Sequence, residues 1–372
     1  MNKALIFPAA LFLLLIGSAS RGFIPPGSPP GSIYADQIAV HGKVEIWTLD
    51  QADSATDYYY EDDNQANITG GRYIPARKIF ITQEFEGLVS DPEGFTDQYG
   101  TYYLKKSGLV EDSNYDVNLE VRAEAILGTY GNPLWPNEVT VQIFQDSTDI
   151  YEVNGETPAY SFHTGTDNEV NIKIGGPQDS GITWDDDVYC DWSVSDCNGY
   201  QGEDDNMGIH PVVAFWMTQV LQDFVKQVTR LAPNLDQINN DTWIIYPALN
   251  DSTHYAAYAP PPGIGSIDMA ASDLFPSQFG GGAAFSNTLG ANWRSFRQSL
   301  FHEYSHKIMH DVYWAMPEPN LNYAVHIGES EHDLGTCASQ ELAWKEGFAE
   351  FLPAAAAGIP QVSGQVGNGN IE

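Results

Sequence analysis

The chain has 372 residues, with 50 acidic against 16 basic side chains for a formal charge of −34, and 42% of its residues are hydrophobic. That length leaves room for roughly two domains, and the apolar fraction is too high for a disordered acidic tail. So negative a chain, with no Lys/Arg run, repels phosphate backbones and anionic headgroups, which excludes nucleic acids and acidic membranes as expected partners.

At the N-terminus Lys3, the apolar run Ala4 to Ile16 and the small residues Gly17, Ser18 and Ala19 form the three regions of a secretory signal over 1–19, with the mature chain starting near Ser20. The run is shorter than the ~20 residues that span a bilayer. The product is therefore expected to be secreted or at the cell surface, without stable membrane insertion. Residues 20–37 hold the Pro/Gly-rich stretch Pro25 to Ser32, which reads as a linker. In an oxidising compartment Cys190 and Cys197 are expected to form a short-loop disulfide, and Cys337 has no evident partner. Asn67, Asn240 and Asn250 begin glycosylation patterns that matter only in a source that glycosylates.

From residue 38 the period becomes two. Val40, Gly42, Val44 and Ile46 alternate with polar neighbours, as do Val117, Leu119, Val121 and Ala123, and both runs read as half-buried strands. Pro75 to Ile81 reads as a strand entered through proline, and Thr96 to Leu104 as a turn feeding another. Short strands separated by turn residues predict an all-β sandwich over 38–150, with the acidic insert Tyr58 to Asn64 as a loop. The stretches Gly42 to Ile46, Ile74 to Ile81, Thr96 to Tyr102 and Tyr115 to Ala123 resemble the prealbumin-like (transthyretin-like) domains that precede many exported enzymes. The resemblance implies a spacer or surface-binding role for this part.

Residues 151–208 are rich in Asp, Gly and Asn and read as an acidic connecting region. Asp185-Asp186-Asp187 and Glu203-Asp204-Asp205 offer oxygen ligands to Ca²⁺, but no calcium-loop spacing is present, so solvated loops are expected. In 209–372 the period shifts to 3.6: Val212, Val213, Phe215, Trp216, Val220, Phe224, Val225 and Val228 mark a buried helix from His210 to Arg230. Thr242 to Pro247 and Ile264 to Ala270 read as strands, and Trp293 to Val312 as a second helix. This order predicts an α+β domain after the sandwich.

That second helix carries His302-Glu303-Tyr304-Ser305-His306. Residues four apart share a helical face, so both imidazoles can reach one ion ~2.0–2.1 Å away, with Glu303 beside it to act on its water. A catalytic zinc site normally has three protein ligands, so a third is needed. His310 is disfavoured, because a continuous helix advances about 6 Å per four residues and three such ligands do not converge. The metzincin arrangement is disfavoured too, since Lys307 to Val312 lacks its glycine and third histidine. The remaining source is Ser339 to Phe351, whose apolar residues fit a further helix and which offers Glu341, Glu346 and Glu350.

His302 to His306, followed by Trp344-Lys345-Glu346-Gly347-Phe348-Ala349, resembles the gluzincins, the metallopeptidase clan of thermolysin and the aminopeptidase N-like enzymes. The resemblance implies a zincin-like domain, Zn²⁺ held by His302, His306 and Glu346, and Glu303 as general base in peptide hydrolysis. It leaves Glu341 and Glu350 as surface or supporting carboxylates, Glu350 being placed to orient a ligand histidine. It also implies an extended peptide or protein substrate paired with an edge strand, taken as Ile264 to Ala270; packing is expected of Tyr255 and Tyr258. Two departures accompany it. An insert with His326, His332 and Cys337 separates the two motifs, and the Gly-rich stretch Ala354 to Glu372 holds no transition-state stabilising Tyr or His, so the domain is either C-terminally incomplete or completed from the insert. The alternative function is an inactive extracellular adhesion or binding protein that keeps the zincin fold.

Overall fold

The computed structural model describes residues 32–48, 72–88, 91–127, 138–144, 150–176, 178–184, 209–231, 242–245, 256–259, 266–269, 289–314 and 340–357. The signal, the linker as far as Gly31, the insert Tyr58 to Asn64, the Asp185 and Glu203 clusters, all three cysteines, the asparagines of the three glycosylation patterns, Tyr255, His326 and His332 lie outside the described residues. Within them the chain is mostly β-sheet, with sixteen strands and three helices.

A five-stranded sheet forms around β1 (Ile38–Thr48), whose Ile38, Val40, Val44 and Ile46 are buried as their alternation predicts. Along one edge β1 pairs antiparallel with β2 (Arg72–Pro75) and β5 (Thr101–Lys106). Along the other it pairs in parallel with β11 (Thr166–Glu169) and then β12 (Ile172–Ile174). At the handover between those two, the Val170 N–H donates to the His41 carbonyl and the Val170 carbonyl accepts from the Tyr102 hydroxyl, at 2.8 and 2.7 Å. Gly42 lies against this crossing, and a Cβ there would come within 1.8 Å of the Val170 oxygen. Gly42→Ala is accordingly expected to cost about 4 kcal/mol or more. The midpoint of urea unfolding reads this, and an unchanged midpoint would mean that the close approach is absent.

The larger, eleven-stranded sheet is organised by β6 (Asn114–Ile126), with Val117, Leu119, Val121 and Ala123 buried in the predicted phase. One edge of β6 carries β3 (Ile79–Phe85), which in turn pairs β4 (Glu93–Phe95). The other carries β7 (Glu138–Phe144), β9 (Asn154–Glu156) and β10 (Tyr160–His163), with β8 (Ile150–Glu152) on β7 and β13 (Thr183–Trp184) on β9. The sheet then continues past β7. β14 (Thr242–Ile245) runs parallel to β7, β16 (Ser266–Met269) parallel to β14, and β15 (Ala256–Ala259) antiparallel to β16. Strands from both halves of the sequence thus share one hydrogen-bonded ladder.

Three expectations are corrected. Pro75 to Ile81 is two strands rather than one: β2 ends at Pro75, Lys78 takes a positive φ of 53°, and β3 starts in the other sheet. The break is held by Thr96, whose hydroxyl accepts from the Ile79 N–H and donates to the Ala76 carbonyl. The described part of the acidic region, 150–184, supplies six strands, β8 to β13. They are short and mostly polar, so their place is set by pairing with β1, β6 and β7 and not by apolar alternation. Finally, the strand predicted at Ile264 to Ala270 is flanked on both sides, and among the described residues the strand at the end of the sheet path is β15.

On the face of the large sheet that carries Thr82, Glu120 stands opposite Thr82 on β3 and Glu156 on β9, and Glu84 stands opposite Asn118. Arg122 binds the Glu120 carboxylate, and the Asn118 amide donates to Glu156 at 3.2 Å. A hydrogen bond with Glu120, reinforced by burial and by the charges of Glu120, Glu156 and Asp91, pushes the Glu84 carboxyl up to about 8. A pKa raised in the folded state contributes stability that is complete below the unfolded value of 4.5 and is lost as pH rises through about 8. Glu84→Gln should therefore raise the melting temperature at about pH 9 and leave it nearly unchanged at about pH 5. Equal shifts at both pH values would remove the shared proton from the explanation.

Helix α1 (Ile209–Leu231) packs on β1, β6 and β7. Its predicted apolar face is buried, from Val212 to Val228, and most of its other side is buried as well, including Thr218, Gln219 and Gln222. The two remaining helices, α2 (Leu289–Trp314) and α3 (Gln340–Ala357), pack against each other and on α1, and α2 also lies on β15 and β16. None of the described helices is long and apolar enough to cross a membrane.

Candidate metal centre

The site forms where α2 and α3 face each other. Phe296, Leu300 and Tyr304, four residues apart, are buried and fix one face of α2 in the core. On α1, Phe224 stacks on Phe301 at 4.5 Å between ring centroids and meets the Tyr304 ring edge-on at 6.2 Å. That locks the turn of α2 from which His302 and His306 project. In α3 Ala349, Leu352 and Ala354 are buried while Trp344 and Phe351 are exposed, so the helix turns Glu346 and Glu350 toward α2.

His302, His306 and Glu346 form the one group among the described residues that could hold a metal ion. The separations are 3.1 Å between the two Nε2 atoms, 3.2 Å from His302 Nε2 to Glu346 Oε2, and 3.5 Å from His306 Nε2 to the same oxygen. Ligands ~2.0–2.1 Å from a tetrahedral ion stand about 3.3 Å apart. The three donors therefore span one face of such a tetrahedron, and two imidazole nitrogens with a carboxylate oxygen suit zinc. The imidazole planes cross at 80°, so each presents its nitrogen from a different direction. Behind them Glu350 Oε1 lies 3.1 Å from His302 Nδ1. A proton on that nitrogen donates to Glu350 and leaves Nε2 free to bind.

The electrostatics follow from this crowding. Burial alone would lower the His302 pKa, but hydrogen bonds to Glu346 and Glu350, with the charge of Glu303 nearby, outweigh it and push the imidazole up to about 10. Burial raises the Glu346 carboxyl, yet hydrogen bonds from His302 and His306 outweigh that and hold it well below the usual carboxylate range. Both shifts favour a His302–Glu346 ion pair in the metal-free protein, and a metal ion bound there would have to displace a proton from His302.

Glu303 is 9% exposed and follows His302 on α2, near enough for its charge to help raise the His302 pKa. His310 is buried further along α2 and is not a member of the group. Glu341 lies in the first turn of α3, and its side chain is outside the described residues. Sequence reasoning assigned no role beyond core packing to Phe224, whose signal was its place on the apolar face of α1. Comparison with protein families, curated proteins and solved structures returns no match.

Proposed function

We propose that the chain is a secreted zinc-dependent metallopeptidase whose metal is held by His302, His306 and Glu346, in a zincin-like α+β arrangement whose helices come from 209–372 and whose sheet is shared with the N-terminal strands. The observation that carries this reading is the donor triangle, with edges of 3.1, 3.2 and 3.5 Å, on two buttressed helices. The resemblance of the two motifs to gluzincins supports it. When bound, zinc supplies Lewis-acid polarisation of a water and of the scissile carbonyl. Glu303 takes the proton of the attacking water and passes it to the leaving amine. Glu350 holds His302 in the tautomer that ligates through Nε2. At the end of the sheet, β15 offers backbone groups to an extended peptide, a recognition mode indifferent to most side chains.

The test uses the purified full chain. Zinc content near one equivalent, casein hydrolysis that a chelator stops, and recovery on adding Zn²⁺ are the expected results. Stoichiometric zinc without cleavage would point to an extracellular binding protein instead, and absence of both would overturn the metal centre itself.

A further inference from the structure

The β-rich half, expected to act as a spacer, grips α1 at one point with unusual completeness. Arg77, in the turn between β2 and β3, donates its backbone N–H to Gln219 Oε1 at 2.9 Å, and its Nε donates to the same oxygen at 3.3 Å. Its guanidinium reaches both oxygens of Asp223, at 2.8 and 3.0 Å, and the Gln219 carbonyl at 3.3 Å. In return the Gln219 and Gln222 amides donate to the Arg77 carbonyl, at 3.2 and 2.6 Å.

The parts of this clasp are not equal. The Asp223 side chain is 59% exposed, so its ion pair contributes little despite the fork geometry. Gln219 is 1% exposed, and losing its amide takes away the acceptor of the Arg77 N–H, while the Arg77 carbonyl keeps the Gln222 amide. A second contact lies at the start of α1, where Gly175, with φ 67°, leaves no room for a Cβ beside Val212. About 140° round α1 from Gln219, Phe224 stacks on Phe301 and meets Tyr304, the residues on either side of His302-Glu303. One face of α1 is therefore fixed to the β2–β3 turn while the opposite face sets the metal-bearing turn of α2.

We propose that Gln219 and Phe224 are positioning residues through which the N-terminal β-structure holds the His302–His306 turn in ligating register. The proposal rests on the metal-centre reading and deepens it by making the β-rich half part of the site's support.

Visible absorption of the full chain titrated with Co²⁺ tests it, with far-UV circular dichroism to confirm folding. Gln219→Leu and Phe224→Leu are expected to weaken Co²⁺ binding about tenfold and to shift the Co²⁺ bands. Leu104→Ala, in the core of the small sheet, loses stability by cavity formation but should bind Co²⁺ as the wild type does. Arg77→Ala replaces Gln219→Leu if the latter does not fold, with a smaller expected loss because the backbone bonds remain. Folded variants that bind like wild type would overturn the positioning role alone, as would an equal loss in Leu104→Ala. A wild-type chain that binds no Co²⁺ would overturn the metal centre and this proposal with it.

Discussion

Glu303→Gln is expected to retain zinc in full and to lose about 10³-fold in the rate of peptide hydrolysis, a barrier increase of about 4 kcal/mol. Glu303 stands beside His302 on α2 yet outside the group of three candidate donors, so its replacement removes none of them. The amide has nearly the shape of the carboxylate and still forms hydrogen bonds, but it cannot accept the proton of the attacking water. The informative measurement is the pair of numbers, zinc per chain and casein cleavage, on the same preparation. Loss of both would make Glu303 a structural residue. Retention of both would remove it as the base.

Glu346→Gln is expected to act on the metal itself, weakening Zn²⁺ binding by at least about 100-fold, the upper end of what loss of a supporting partner costs. The substitution removes the charged oxygen that lies 3.2 and 3.5 Å from the two imidazole nitrogens. Glu350→Gln should cost about tenfold, since Glu350 touches His302 Nδ1 on the side away from the donor triangle, and Glu341→Gln should leave affinity unchanged. This ranking, read by competition with a chromophoric chelator, distinguishes three carboxylates on one helix. A larger effect at Glu350 or Glu341 than at Glu346 would reassign the ligand.

The helices and the sharing of one face by His302 and His306 were legible because their signals are local, whereas Glu346 was singled out from Glu341 and Glu350 only by the resemblance of its motif. A four-residue spacing places His302 and His306 on one face whatever surrounds them, and the alternation at β1 and β6 survives because one face of each strand is buried. What escaped was decided by partners distant in sequence. Thr166–Glu169 carries no apolar alternation and is a strand because it pairs with β1. The break at Lys78 was hidden because Ile79 and Ile81 continue an apolar pattern that Thr96 and Gln219 interrupt from elsewhere in the chain. The edge position was assigned to the wrong strand because Ala256–Ala259 is too short and too small-sided to announce itself.

The pairing of β7 with β14 has a practical side. A fragment expressed from residue 209 onward would keep both helices of the candidate metal site but strip Thr242–Ile245 of the neighbour that Val139 to Gln142 supplies. The bared row of amides and carbonyls would then be free to recruit a second fragment, so inclusion bodies or strand-exchanged dimers are the natural fate of a chain cut there.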